Sequence, residues 1–153
     1  MDYKNDISFL IDSTLNLYEH QPTWNPNMPL RGLGYFARLY EDYVRLNELN
    51  IYPLLFLPLV ENAFKYVGGD YQLDIIMKWE NNRISLFIRN SIPELSAEDE
   101  ALRKSVDERQ RKGIGLVNLR RRLSLLYPNK HRLETRKEET EFVAELMIEI
   151  EDI

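Results

Sequence analysis

The sequence predicts an α+β fold with helices on one face of a mixed or mainly antiparallel sheet. Three observations predict it. Apolar residues recur at helical spacing over residues 30–46 and 116–126. Two strand-like segments, 72–79 and 83–89, flank the turn-forming Glu80-Asn81-Asn82. A second strand pair, 131–136 and 141–150, follows the helix break Tyr127-Pro128-Asn129, and its last member alternates Phe142, Ala144, Leu146, Ile148 and Ile150.

Each element has its own justification. Residues 7–18 carry Ile7, Leu10, Ile11, Leu15 and Tyr18 close to helical spacing, which predicts a first helix. Residues 21–29 hold three prolines and two asparagines and read as a loop. Leu33, Phe36, Ala37, Tyr40, Tyr43 and Val44 mark a second, amphipathic helix. The two together predict an N-terminal helical hairpin over residues 1–46, packed on the core or serving as a dimer contact. Residues 54–67 form a third helix, apolar apart from Glu61, Asn62 and Lys65, with Pro58 in its first turn and Gly68-Gly69 stopping it. Residues 91–112 are polar, carry both charge signs and lack glycine, so they read as a long exposed connection with a short helix at 97–106. Connections of that length in a compact domain are usually lids or disordered.

Bulk properties exclude several classes of function. The chain has 153 residues, 44% of them hydrophobic, enough for one compact core. Its net charge of -5 argues against nucleic acid as a partner, because neutralising phosphates needs a basic surface. With no cysteine, disulfides, thiolate catalysis and cysteine-based zinc sites are excluded. The two histidines, His20 and His131, are far apart, and structural roles outweigh catalysis for both. No apolar run is long enough to span a bilayer, and the first residues lack a signal peptide's apolar core.

Two constellations carry chemistry. In the first, Glu61, Asn62 and Lys65 fall on one face of the third helix, since residues three and four apart are neighbours. An asparagine carbonyl suits Mg²⁺ beside phosphate oxygens and water, a glutamate accepts a proton from an attacking nucleophile, and a lysine adds a point charge near phosphates. The alternative is an exposed Glu–Lys pair with Asn62 incidental. In the second, Gly113-Ile-Gly115 opens directly into a helix, where free N–H groups and the dipole favour an anion, and Arg109, Arg111 and Lys112 add positive charge. The alternative is an ordinary loop-to-helix turn. Leu116, Leu119, Leu123 and Leu126 read as a core stripe, and Arg120, Arg121 and Arg122 as a solvated face.

Taken together, Pro58-Leu-Val-Glu-Asn-Ala-Phe-Lys-Tyr66 and the run from Gly113 through Tyr127 resemble the asparagine and glycine boxes of LytS/YehU-like sensor histidine kinases. The resemblance covers residue 30 to the end. It implies the GHKL (Bergerat) ATPase fold, a two-layer α/β sandwich, over residues 47–153, with residues 1–46 a remnant of a dimerisation and linker region and about residues 91–112 the ATP lid. It further implies that ATP and Mg²⁺ are the cofactors. Asn62 would bind the metal, Glu61 would act as or orient the base, and Lys65 would contact phosphate. Gly113, Gly115 and Leu116 would line the phosphate and lid end, Thr140 would lie near the adenine pocket, and Tyr66 and Lys112 would also bind the cofactor. The implied partners are a histidine-containing segment of the same receptor, a response regulator and a second copy of the chain. The implied setting is the cytoplasmic part of a membrane-anchored bacterial receptor in a two-component system.

The chain departs from that pattern in three places. The family's Asp-x-Gly-x-Gly is replaced by Asn90-Ser-Ile-Pro93, with Asn90 at the position that accepts from the adenine amino group. The stretch before the asparagine box is short, so one sheet strand is expected to be short or absent. The phospho-accepting histidine has no counterpart here. A degenerate, non-catalytic module acting by docking or dimerisation is the alternative reading.

Overall fold

A computed structural model describes residues 6–11, 14–20, 28–46, 48–49, 51–52, 55–94 and 114–150. The elements in order are β1 (Asp6–Ile11), β2 (Thr14–His20), α1 (Met28–Leu46), α2 (Leu57–Tyr66), β3 (Gln72–Glu80), β4 (Arg83–Ser91), α3 (Ile114–Leu126), β5 (His131–Lys137) and β6 (Glu141–Glu149). The strands form one sheet in the order β1-β2-β3-β4-β6-β5, and every pairing is antiparallel. The architecture is α+β, with the three helices of the described residues packed against the sheet.

Strand alternation builds the core. Leu73, Ile75 and Met77 of β3 point inward beside Ile84, Leu86 and Ile88 of β4, while Ala144, Leu146 and Ile148 of β6 continue the layer. Leu59, Val60, Ala63 and Phe64 of α2 cover it, flanked by Phe36 and Tyr43 of α1 and by Leu119 and Leu123 of α3. Full burial of such a side chain stabilises by roughly 1.5–3 kcal/mol, so this layer dominates the driving force. The other face is more open and polar, and carries the Asp74–Arg89 ion pair.

Local chemistry explains the joins. Asn81 and Asn82 both take positive φ, 52° and 57°, the geometry of a tight hairpin turn that asparagine tolerates. Pro58 lies in the first turn of α2, where a missing N–H costs nothing. The His131 ring donates through Nδ1 to the Tyr127 carbonyl at 2.7 Å and fastens the end of α3 to β5.

Two expectations are corrected. The predicted helix at residues 7–18 is instead the hairpin β1–β2, so residues 1–46 are not a helical hairpin. The reason is a competition that periodicity alone cannot arbitrate. Ile7, Phe9 and Ile11 also alternate, as do Leu15 and Leu17, and β2 satisfies the open edge of β3 from Thr14↔Lys78 to His20↔Gln72. The connection expected from about residue 91 starts after β4 and its continuation at Ile92. Ser91 closes β4 opposite Glu141, and the Ile92 N–H donates to the Thr140 carbonyl at 2.8 Å. The rest of the predicted lid, from residue 95 on, with its short helix at 97–106, lies outside the described residues. Among residues 48–49 and 51–52 there is no strand, and the strands beyond β3 come from ahead of α1.

Candidate functional site

One end of the sheet gathers most of the predicted residues. The C-terminal end of α2 is tied there by the Gly68 N–H, which donates to the Ser91 carbonyl at 2.9 Å. Asn90, near the end of β4, pairs with Phe142 at the start of β6. Thr140, an exposed residue just ahead of β6, holds Ile92 through its carbonyl. The α3 helix arrives at the same end. Its last turn sits by His131 and Arg120 bonds the Leu133 carbonyl, so its first turn, with Gly115 and Leu116, points toward the Lys137↔Phe142 end of the hairpin.

Asn90 is the centre of this arrangement. It continues the inward row Ile84, Leu86, Ile88, yet it is an amide, and it is only 1% exposed. Its Nδ2 donates to the Ser91 carbonyl at 3.2 Å, which fixes the orientation of the amide. Its Oδ1 is buried with no hydrogen-bond partner among the described residues. An orphaned buried acceptor costs about 1–3 kcal/mol, so such a group calls for a donor supplied from elsewhere.

The α2 residues differ in exposure. Glu61 and Lys65 are exposed, whereas Asn62 and Tyr66 are half-buried at the margin of the core. Lys65 lies about 40° round the helix from Glu61 and about 60° from Asn62, so the three span about 100° of its surface. Among the described residues no ion pair joins Glu61 to Lys65. Lys65 instead places its Nζ 5.4 Å from the centre of the Tyr66 ring. Among the described residues no group of three or more His, Cys, Asp or Glu could hold a metal. A cation at Asn62 would thus draw its other ligands from phosphate oxygens and water, as Mg²⁺ readily does.

Gly115 is exposed, and a Cβ added there would meet nothing within 4 Å. Packing does not require glycine at that position. Leu116 is half-buried against the core, as its stripe predicts. Lys112 and Gly113 lie outside the described residues, as do Arg109 and Arg111.

The junction beneath Asn90 was not anticipated from the sequence, where Gly68-Gly69 reads as a helix stop. A Cβ on Gly68 would lie 2.7 Å from Cδ of Pro93, and Gly69 takes φ +64° against the Ile92 carbonyl. Ser91 Oγ donates to the Gly68 carbonyl at 2.6 Å and accepts from the Gln72 N–H at 2.8 Å. The signal in the sequence was Gly-Gly some twenty residues before Ser-Ile-Pro, a pairing that only the β3–β4 hairpin brings together.

Compared with family models, curated proteins and solved structures, the chain matches none. Among the described residues no helix is long and apolar enough to cross a membrane.

Proposed function

We propose that this chain is the ATP-binding catalytic portion of a sensor histidine kinase of the LytS/YehU-like kind, with the GHKL fold, working in a two-component system. The observation that carries the reading is the buried, unpartnered Oδ1 of Asn90 at the sheet end shared with α2, Thr140 and the start of α3. With Nδ2 committed to Ser91, the amide offers only an acceptor, which matches an adenine amino group.

In this reading the γ-phosphoryl group passes from ATP to an imidazole nitrogen of an acceptor histidine. The P–O bond to the β-phosphate breaks, a P–N bond forms, and ADP leaves. Such transfer is mostly positioning and charge neutralisation. Bound Mg²⁺ would neutralise charge on the β- and γ-phosphates, with Asn62 as a protein ligand. Glu61, exposed beside it, would take or orient the imidazole proton, and Lys65 would approach phosphate from the same helix. The N–H groups at the start of α3, next to the unhindered Gly115, would cradle the phosphates. Neither His20 nor His131 has the acceptor context, so the accepting histidine belongs to a further segment of the receptor. A response regulator would take the phosphoryl group onward. The membrane would enter only through the parent receptor.

Isothermal titration with Mg-ATP should give saturable heat that Asn62→Ala abolishes. Heat unaffected by that change removes Asn62 from the site. An acid-labile phosphate on an added histidine-containing segment separates a histidine kinase from a serine kinase or a simple ATPase.

A second reading, a degenerate module that docks without catalysis, is favoured by one observation. Where the family has open glycines after β4, this chain has Ile92, 7% exposed with its carbonyl against Gly69, and Pro93 packed against Gly68. Absence of any heat at millimolar Mg-ATP would support that alternative.

A further inference from the structure

The helix α3 carries apolar side chains on two opposite sides. Leu119 and Leu123 are fully buried in the core. At about 100° per residue, Arg121 stands half a turn away from their midpoint, on the side that faces solvent. Val117, Arg121 and Leu125 follow one another four apart and form one ridge about 12 Å long. Val117 and Leu125 are 64% and 71% exposed, two of the three large hydrophobic side chains exposed among the described residues. A single exposed valine or leucine is ordinary on a surface. Two on one ridge, each one turn from the same arginine, form a pattern that packing against the core does not explain.

The charge of this helix runs against that of the chain. α3 carries three arginines and no acidic residue, whereas the net charge of the chain is -5. Arg120 is engaged, its Nη1 donating to the Leu133 carbonyl at 3.1 Å. Arg121 and Arg122 are exposed and have no hydrogen-bond or carboxylate partner among the described residues. These features narrow the occupant. In an antiparallel two-fold pairing of this ridge with a second copy, Arg121 would meet its own counterpart at the axis, where like charges repel. An anionic bilayer is read by clusters of roughly four to eight basic residues, against two free arginines on this helix. An extended peptide would find no backbone groups to pair with, because those of a helix are spent within its own ladder.

We infer that the outer ridge of α3 is a docking site for an acidic amphipathic helix of a partner protein. That helix presents a carboxylate flanked, four residues before and after, by apolar side chains. Its carboxylate pairs with Arg121, Arg122 adds charge beside it, and its apolar residues cover Val117 and Leu125. Ridge-into-groove packing brings two helix axes to about 8–10 Å, close enough for these contacts. Two apolar residues and one charge pair give a weak, transient contact steered by charge, not an obligate interface. Nothing in this inference depends on the nucleotide site.

The test uses the whole chain and a fluorescein-labelled peptide of about 20 residues, long enough to hold a helix in water. Leucine, glutamate and leucine stand four apart in an alanine–glutamine background, and binding is followed by anisotropy. A second peptide has lysine in place of the glutamate. The variants Arg121→Glu and Val117→Ser/Leu125→Ser alter only exposed side chains, and unchanged melting temperatures check their folding. Saturable binding of the glutamate peptide is expected, weakened roughly tenfold or more in either variant. Arg121→Glu is expected to bind the lysine peptide instead, an exchange that lost folding cannot mimic. Equal binding of the two peptides by the unaltered chain overturns charge recognition, and absence of saturable binding overturns the docking site. A dimer seen in light scattering and lost in Val117→Ser/Leu125→Ser overturns it in favour of a second copy. Binding of phosphatidylserine vesicles that Arg121→Glu abolishes, with none of the peptide, overturns it in favour of a membrane surface.

Discussion

Under the proposed function, Asn90 sets stability against nucleotide recognition at a single residue. Its neighbours on β4 face the core as Ile84, Leu86 and Ile88, so a leucine there would suit the layer better than an amide with an orphaned oxygen. Asn90→Leu is expected to leave the protein as stable as before, or to raise its stability by about 1–2 kcal/mol, because a desolvated acceptor disappears. The same variant should lose Mg-ATP binding under the proposed function. Thermal unfolding and titration on one sample check both; a destabilised variant would mean that Oδ1 has a donor in the native state that the geometry does not reveal. Tyr40 gives a second prediction at this scale. Desolvation, with a smaller contribution from Tyr127, raises its pKa from 10 to about 12. Below about pH 10 folded and unfolded chains both hold that proton; as pH climbs toward 12 the unfolded chain releases it first, so stability falls. Burial also raises Tyr43, against a backbone hydrogen bond with Trp79 that lowers it. Melting temperatures measured on either side of pH 10 should decline, and decline less steeply in Tyr40→Phe. An identical slope would show that Tyr40 ionises alike in both states.

Among the elements, α2 is the one on which both fold and proposed chemistry converge. Its buried face, Leu59, Val60, Ala63 and Phe64, is fixed by the core, and this sets how far round Asn62 and Glu61 stand. Its end is fixed by the junction of Gly68 with Ser91 and Pro93. Gly68→Ala would drive a methyl to 2.7 Å from a rigid proline ring. That overpacking should cost about 1–3 kcal/mol, read as a lowered denaturation midpoint. Since the same junction holds Asn90's strand end, the Mg-ATP affinity expected under the proposed function should fall with it. Unchanged stability would show that Pro93 moves aside freely. The element pattern itself was largely legible in the sequence. The period-two runs of β3, β4 and β6, the Asn81-Asn82 turn and the Pro58 start each carry a local physical cause. What could not be read was the α2–β4 junction, because its partners are separated by a whole hairpin.

At the scale of the whole molecule, the hairpin β1–β2 decides whether β3 is an edge. With β2 in place, β3 is paired on both sides from Gln72 to Lys78. Deleting residues 1–20 should expose a strand bearing Leu73, Ile75 and Met77 on one face and open backbone groups along its side, and such edges self-associate. Light scattering should then report oligomers; a monomer of unchanged melting temperature would show that the hairpin is dispensable to the sheet. This hairpin also marks the boundary between what local sequence and the assembled molecule each control. By itself the sequence determined the α+β class, the positions of α2, α3 and four strands, and the two segments that carry candidate chemistry, because periodicity, turn residues and breakers act within a few neighbours. Only the tertiary structure decided that residues 6–11 and 14–20 pair as strands, that the Asn90 amide is buried with an acceptor that has no partner among the described residues, and that Gly68 meets Ser91 and Pro93. Those outcomes depend on which backbone groups and surfaces meet across the fold, and hydrogen-bond satisfaction between distant segments outweighs the helical spacing any one of them shows alone.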